Sequence, residues 1–418
     1  MVDAVLAATG VLGLTVAALS GRLRRLPVST AVLGLLAGVL LGPAVLGVVD
    51  LGTVLDRHPL VLELTRVLLA VSVMGVALRF PLAELRRLAW PSALLVLVAM
   101  PIMALSTAAV AWLTLGAGLS VSLLVGAALC PTDPVLATSA VTGKEAERTL
   151  PLRERVLVSA ESGANDGLAL PVVLVALGVA AGPLAGDGLA PVGEAVARSL
   201  VEVVGGVLLG AVAGWLGARA LRAGEAHGAS EPGPTLFFTL LLGLAVLGAG
   251  GLLHVADVLA VFVAGLTFNL VSTGTERDNA IPVDESVDRF GLLPVFLLVG
   301  ALLPWREWAE LGWRGVALVV GVLLLRRLPV VLLLRRPLGL SWAGAGYVGW
   351  FGPVGVSALL YLTLEAERLG RQETVLAAGV LVVAASTVVS GVSVPIGLRW
   401  YRRVAGPPAR SRLPSAGG

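Results

Sequence analysis

The stretch Val158–Pro171, VSAESGANDGLALP, lies in an apolar run long enough to cross a bilayer, yet it places Glu161, Ser162, Asn165 and Asp166 within six consecutive positions. An acid near the middle of a membrane helix costs at least about 2.5–3.5 kcal/mol on insertion scales. A chain this apolar has no folding need for two of them. At helical spacing Ser162 and Asp166 share one face, and Glu161 and Asn165 share the neighbouring one. The rest of the chain reads as scaffolding that holds this cluster and opens it to alternate sides of a membrane.

Composition sets the class. Of 418 residues 57% are hydrophobic and 14% charged, with a mean hydropathy of +0.94. Soluble domains carry about 25% charged residues, so this is an all-α polytopic membrane protein. Basic residues do not form a stripe interleaved with aromatics, which argues against nucleic acid as a partner. Cys130 is the only cysteine, which excludes an intramolecular disulfide and a cysteine-based metal site. It reads as a small buried apolar residue. The first residues, MVDAVLAATG, lack a basic n-region and read as the start of a retained helix, not a cleaved signal peptide.

With about 20 apolar residues needed per span, the chain divides into about 13 transmembrane helices. They fall near 3–20, 28–49, 59–78, 89–115, 119–141, 156–180, 194–218, 234–250, 253–271, 288–303, 312–334, 341–363 and 374–398. One transmembrane domain therefore covers 1–398, followed by a short cytoplasmic tail over 399–418. The end of that tail, rich in Pro, Ser and Arg, is expected to be disordered. Of the 30 Lys and Arg residues, 21 fall in loops on one side, seven on the other, and Arg326 and Arg327 inside the eleventh span. The alternation holds for every loop, supports the odd count, and places the N-terminus outside and the C-terminus in the cytoplasm. The expected location is the inner (plasma) membrane.

Two spans are broken near their middles. The fifth carries Pro131 and Pro134 around Thr132-Asp133, and the twelfth carries Gly352, Pro353 and Gly355. Proline removes an amide donor and blocks the preceding turn. In lipid such breaks persist only inside protein or along a watery cavity. Spans five and twelve are an odd number of spans apart, so a repeat relating roughly 1–180 to 234–398, with 194–218 as linker helix, is inverted across the membrane. Paired interruptions in two inverted halves point to a transporter's binding site.

The chemistry follows from the broken helices. Half-helix ends carry partial charges, and Asp133 offsets the positive ones. A neighbouring helix brings Asp166 to the same depth. Burial disfavours the charged form of a carboxyl group, so such a group holds either a proton or a small cation, but not both, and that competition is sufficient for exchange. Thr132 and Ser162 offer neutral oxygens of the kind hard monovalent cations take. Arg326 and Arg327 need a partner at depth; Glu161 is the best placed to pair with one of them, while the other snorkels toward the cytoplasm. Asp133 reads equally as a helix N-cap ahead of Pro134 and as a direct ion ligand, and both can hold. Ser162 reads as a ligand or as bonded to a carbonyl four residues back. His254 reads as an interfacial polar residue, and Trp342, Tyr347 and Trp350 as packing or interface anchors.

The segments CPTDPVLA, SAESGANDGLALPVV, VLAVFVAGLTFN, PVFLLVGALLP and GWFGPVGVSALLYL, in that order, resemble the monovalent cation:proton antiporter superfamily. The Asn165-Asp166 pair resembles its electroneutral sodium/proton branch, the NhaP-like and NHE-like exchangers; the electrogenic branch has Asp-Asp there. The resemblance implies two inverted repeats with crossing broken helices, and a homodimer in membrane lipid with a rigid dimerisation domain and a moving six-helix core. It implies a secondary transporter, not an enzyme, exchanging Na+ (or K+ or Li+) for H+ by elevator-like alternating access, with no cofactor beyond the transported ions. Asp166 is then the ion and proton carrier, with Thr132, Asp133 and Ser162 in or beside the cation site. Glu161, Asn165 and the arginine of span eleven form the supporting network. Two positions depart from the pattern. Many relatives have Arg after the Gly-Pro of the twelfth span, where this chain has Val354. Some place an acid within the third span, where VSVMGVAL has none and Glu63 sits near the outer end.

Two other functions compete. A cation channel would need a filter-like run of carbonyls, which the sequence does not show. A membrane hydrolase would need a metal-ligating His cluster or a Ser-His pairing, which it also lacks.

Overall fold

A computed structural model describes residues 2–19, 29–185, 190–226, 237–272, 291–370 and 372–405. Eight of the loop arginines in the counts above, Arg22, Arg24, Arg25, Arg277, Arg289, Arg371, Arg410 and Arg412, lie outside the described residues, as does the tail after Ala405. Among the described residues the regular structure is helical, with no strand. In order the helices are α1 (Val2–Ala18), α2 (Thr30–Leu41), α3 (Val54–Arg79), α4 (Leu82–Arg87), α5 (Ala89–Leu115), α6 (Leu119–Ala128), α7 (Pro134–Val141), α8 (Gly143–Thr149), α9 (Leu152–Leu168) and α10 (Leu170–Ala185). They continue with α11 (Ala190–Ala226), α12 (Phe238–Leu253), α13 (Asp257–Val271), α14 (Gly291–Ala301), α15 (Trp305–Leu325), α16 (Leu328–Leu333), α17 (Trp342–Trp350), α18 (Val356–Leu369) and α19 (Glu373–Ala405).

Six helical stretches are long and apolar enough to span a membrane unaided: Val54–Arg79, Ala89–Leu115, Leu152–Ala181, Pro191–Gly224, Trp305–Leu333 and Glu373–Ala405. The other apolar segments are shorter helices or pairs of half-helices, so the structure does not by itself return a count of thirteen. Both foreseen breaks are present: α6 and α7 flank 129–133, and α17 and α18 flank 351–355. The last helix continues to Ala405 and so takes in the first residues of the expected tail.

Further interruptions have local causes. α15 ends at Leu325 because Pro329, in the first turn of α16, lacks the amide that would bond the Leu325 carbonyl. The two arginines fall in the resulting gap. A widened π-helical turn, Leu95–Ala99, lies inside α5 just ahead of Pro101. A single-residue turn at Ala169 separates α9 from α10.

Small residues set the closest packing. Gly206, Gly210 and Gly214 recur every four residues on α11, facing Ala256, Ala260 and Ala264 of the α13 segment. A Cβ at Gly210 or Gly214 would run into the carbonyl oxygens of Ala260 and Ala264. Gly38 of α2 meets the Leu297 backbone of α14 in the same way. In lipid, where apolar surface gains little from association, such backbone approach is what holds helices together.

Charged contacts gather at two ends of the bundle. At one, Arg402 meets Glu145, the Tyr401 hydroxyl donates to Glu154 at 3.1 Å, and Arg153 donates to the Leu338 carbonyl. At the other, Arg66 of α3 pairs with Asp257 of α13 at 2.6 Å and with Glu63 at 2.9 Å, while His58 lies 3.4 Å from Glu367. Between these ends the outward faces are apolar, with Leu14, Leu97, Leu208 and Val320 exposed. Asp133, Glu161 and Asp166 are buried in the middle with no exposed surface.

Candidate ion-binding site

The two broken spans touch at their breaks. The Asp133 amide donates to the Pro353 carbonyl at 2.9 Å. The Asp133 carboxylate then serves two helices. Oδ1 accepts from the Leu136 amide at 2.9 Å, capping α7, and Oδ2 accepts from the amides of Val356 and, at 3.3 Å, Ser357, capping α18. Both are helix N-termini, where a negative charge is favoured. The two sequence readings of Asp133, as N-cap and as compensation for half-helix ends, thus describe one arrangement. Gly355 is required for it, because a Cβ there would lie 2.5 Å from Asp133 Oδ2.

Arg326 completes the crossing from the other polarity. Its Nη1 donates to the carbonyls of Leu129, Cys130 and Pro131 at 3.0–3.1 Å, and its Nη2 donates to Gly352. Those carbonyls are the C-terminal ends of α6 and α17, where a cation is favoured. The expectation that one arginine snorkels toward the cytoplasm is therefore wrong: Arg326 is 3% exposed and Arg327 2%. Four carbonyls freed by the breaks hold the guanidinium at depth. They also account for Val354, which is buried and offers only its amide, to Ser386 Oγ at 2.9 Å. The positive charge at the crossing comes from the neighbouring span.

Arg327 is the arginine that meets Glu161. Both terminal nitrogens engage the two carboxylate oxygens, Nη2 to Oε2 at 2.6 Å, and Nε donates to the Val348 carbonyl at 3.0 Å. This bidentate pair ties α9 to the gap between α15 and α16 and to α17.

On α9, Asn165 Nδ2 donates to Thr132 Oγ1 at 2.6 Å, and Ser162 Oγ lies 3.3 Å from the same oxygen. Thr132, Ser162 and Asn165 thus form one buried cluster beside the break. Asp166 is different. It has no exposed surface, and neither carboxylate oxygen has a hydrogen-bond partner among the described residues. The Ser357 hydroxyl lies near it without a well-formed bond. Glu161 is paired, whereas Asp166, which lies beside this cluster, is left with its oxygens open among the described residues, a condition it shares with Glu365 of α18.

A cavity of about 1240 Å³ reaches this point. Its walls include Glu63 and Arg66 of α3, Glu202 of α11, Asp257 of α13 and Arg368 of α18, and it ends on Gly167, Leu170 and Tyr361. Gly167 of this lining is the sequence neighbour of Asp166, which is itself not among the lining residues. The structure brings Thr132, Asp133, Glu161, Ser162, Asn165, Asp166, Arg326 and Arg327 to one crossing, with Pro131, Pro134, Gly352 and Pro353 in or beside the breaks.

Sequence reasoning missed three buried polar residues of α18. Ser357 and Tyr361 lie four residues apart on α18, inside the GVSALLYL motif, and that spacing was the available signal. Glu365, four residues further, is fully buried with both oxygens unpartnered among the described residues. Ending the twelfth span at 363 put it in a loop, whereas α18 runs to Leu369.

The sodium proton antiporter MjNhaP1 of Methanocaldococcus jannaschii has the same fold, with a TM-score of 0.74 over 97% of this chain and 98% of that one at 19% identity. Among curated sequences, Na(+)/H(+) antiporter 2 of Zygosaccharomyces rouxii is 33% identical over 75% of this chain and 40% of its own length. The Na(+)/H(+) antiporter of Saccharomyces cerevisiae is 31% identical over 75% of this chain and 32% of its own length. A Na(+)/H(+) antiporter of Schizosaccharomyces pombe is 30% identical over 83% of this chain and 75% of its own length. The chain therefore spans well under half of the first two relatives. The profile of the family described as sodium/hydrogen exchanger, transmembrane, matches residues 11–400. The chain belongs to the sodium/hydrogen exchanger family.

Proposed function

We propose that this protein exchanges sodium, or another monovalent cation such as lithium or potassium, for protons across a membrane, with Asp166 as the group that carries either ion. The observation that supports this most directly is the Asp166 carboxylate: fully buried, without a hydrogen-bond partner among the described residues, and on the residue next to Gly167, which lines a cavity walled also by Glu63, Arg66 and Asp257. A proton satisfies one of its oxygens. A dehydrated cation satisfies both, with Thr132 and Ser162 adding hydroxyl oxygens. Asp133, Glu161, Asn165, Arg326 and Arg327 hold the geometry: each charge among them is already matched, so Asp166 is the charge left to vary.

With one variable carboxyl and Asn165 beside it, each cycle moves one cation against one proton, and exchange is electroneutral. Access alternates as the crossing helices move against α3, α11 and α13, closing the present cavity and opening one at the opposite end. The excess of basic residues supports a cytoplasmic position for the end holding Arg402 and Arg153. The cavity then faces the outside of a plasma membrane. The protein works as a homodimer, and the cation and proton are substrates, with no catalytic group or cofactor involved.

Reconstitution tests the reading. In proteoliposomes with an imposed pH gradient, sodium or lithium added outside should dissipate the gradient saturably, and clamping the voltage at zero should leave the rate unchanged. Single-channel currents, or a rate set by the clamp, would contradict it.

A further inference from the structure

In an unbroken α-helix the amide of Leu170 donates to the carbonyl of Asp166. Here that carbonyl is taken by a side chain: the Tyr361 hydroxyl donates to the Asp166 carbonyl oxygen. The helix is interrupted at this point, with α9 ending at Leu168 and α10 starting at Leu170. Pro171 follows with no amide of its own, so the Gly167 carbonyl also loses its helical donor. A side chain inserted into the backbone ladder opens the turn it enters. The turn opened is the one from which the Asp166 carboxyl projects.

Tyr361 also forms part of the end wall of the cavity, beside Gly167 and Leu170. The backbone has no slack to compensate for it on the α13 side, where a Cβ on Gly167 would lie 2.6 Å from Leu259 Cα. α18 carries Tyr361 one turn beyond Ser357, whose amide is bound to Asp133. The crossing of the broken helices and the turn at Asp166 are thus joined through one helix.

We propose that Tyr361 is a positioning residue for the carrier carboxyl, its hydroxyl holding open the turn that aims Asp166 at Thr132 and Ser162. This rests on the reading of Asp166 as carrier. Without the hydroxyl, the Leu170 amide and the Asp166 carbonyl bond each other. The turn tightens and the carboxyl moves away from the cation's other ligands. The fold keeps its hydrogen-bond count, so the effect falls on cation affinity.

The test compares Tyr361→Phe with the parent protein and with Asp166→Asn in proteoliposomes, reading sodium-driven proton movement across a range of sodium concentrations. The expected result is a rise of about tenfold in the sodium KM with kcat held within about twofold, the pattern of a lost binding geometry. An unchanged KM, or a fall in kcat alone, overturns the proposal. Exchange surviving in Asp166→Asn would remove the carrier reading itself; loss there with a parental KM in Tyr361→Phe removes only the positioning role. Should Tyr361→Phe aggregate on extraction, Tyr361→Met, which fills much of the same space with no hydroxyl, is read in the same way. A raised KM supports the role and a parental KM overturns it.

Discussion

Replacing Glu161 with glutamine leaves a guanidinium buried without its counter-charge. Arg327 is 2% exposed, its two terminal nitrogens are committed to Glu161, and only Nε has another acceptor, the Val348 carbonyl. Glutamine keeps the volume and one carbonyl oxygen, so packing is conserved and one of the two charge-assisted bonds becomes an ordinary one. What remains is an unpaired charge with no route to water, and removing one partner of a buried pair costs about 3–5 kcal/mol. Replacing Arg327 with glutamine strands the carboxylate instead, at a comparable cost. The double replacement removes both charges and should recover most of the loss, since a neutral pair of similar volume is often no worse than the ion pair. The assay is unfolding in detergent micelles, taken around the full cycle of single and double variants. The cycle should return a coupling of about 3 kcal/mol or more. Single variants within about 1 kcal/mol of the parent, or simple additivity in the double variant, would refute a structural role for the pair.

Other substitutions examine separate parts of the account. Asp133→Ala uncaps two helices at once, and at about 1 kcal/mol or more per cap it should cost at least 2 kcal/mol in unfolding measurements; Asp133→Asn, which still accepts hydrogen bonds, should cost less. Gly210→Leu would drive a side chain into the Ala260 carbonyl and should separate α11 from α13, seen as loss of a monodisperse peak on size-exclusion chromatography. Glu365→Leu removes a buried carboxyl that no described residue satisfies. Unfolding should show no loss, or a gain of about 1–3 kcal/mol, and a loss of that size would mean that Glu365 has a partner.

Much of this was legible in the residues, for stated reasons. Pro131, Pro134, Gly352 and Pro353 announced the breaks because proline and glycine act locally, whatever the tertiary context. Glu161 and Asp166 stood out because acids are expensive in an apolar run. The pairing of Glu161 with one of two adjacent arginines was readable, but the choice of Arg327 was not. It depends on the rotation of the gap between α15 and α16 about its axis, which sequence spacing does not fix across an interruption. For the same reason sequence sends the unpaired arginine, whichever of the two it is, to the membrane edge, and that arginine is Arg326. Its real partners are carbonyls, which every residue has and no sequence pattern marks. Tyr361 escaped because its role is to a backbone turn on another helix, and the turn at Ala169 is invisible in a run that reads as one continuous span. Glu365 was lost to a boundary, since hydropathy falls near the end of α18 while the helix goes on to Leu369.

The central claim is that Asp166 alone changes its occupant during exchange. Asp166→Asn keeps the shape, removes the charge, and leaves the crossing untouched, because the Asp166 carboxylate makes no hydrogen bond with any described residue. Reconstituted beside the parent protein, it should fold and assemble normally and show no sodium-dependent proton movement at any sodium concentration. Exchange at even a tenth of the parental rate would contradict the account.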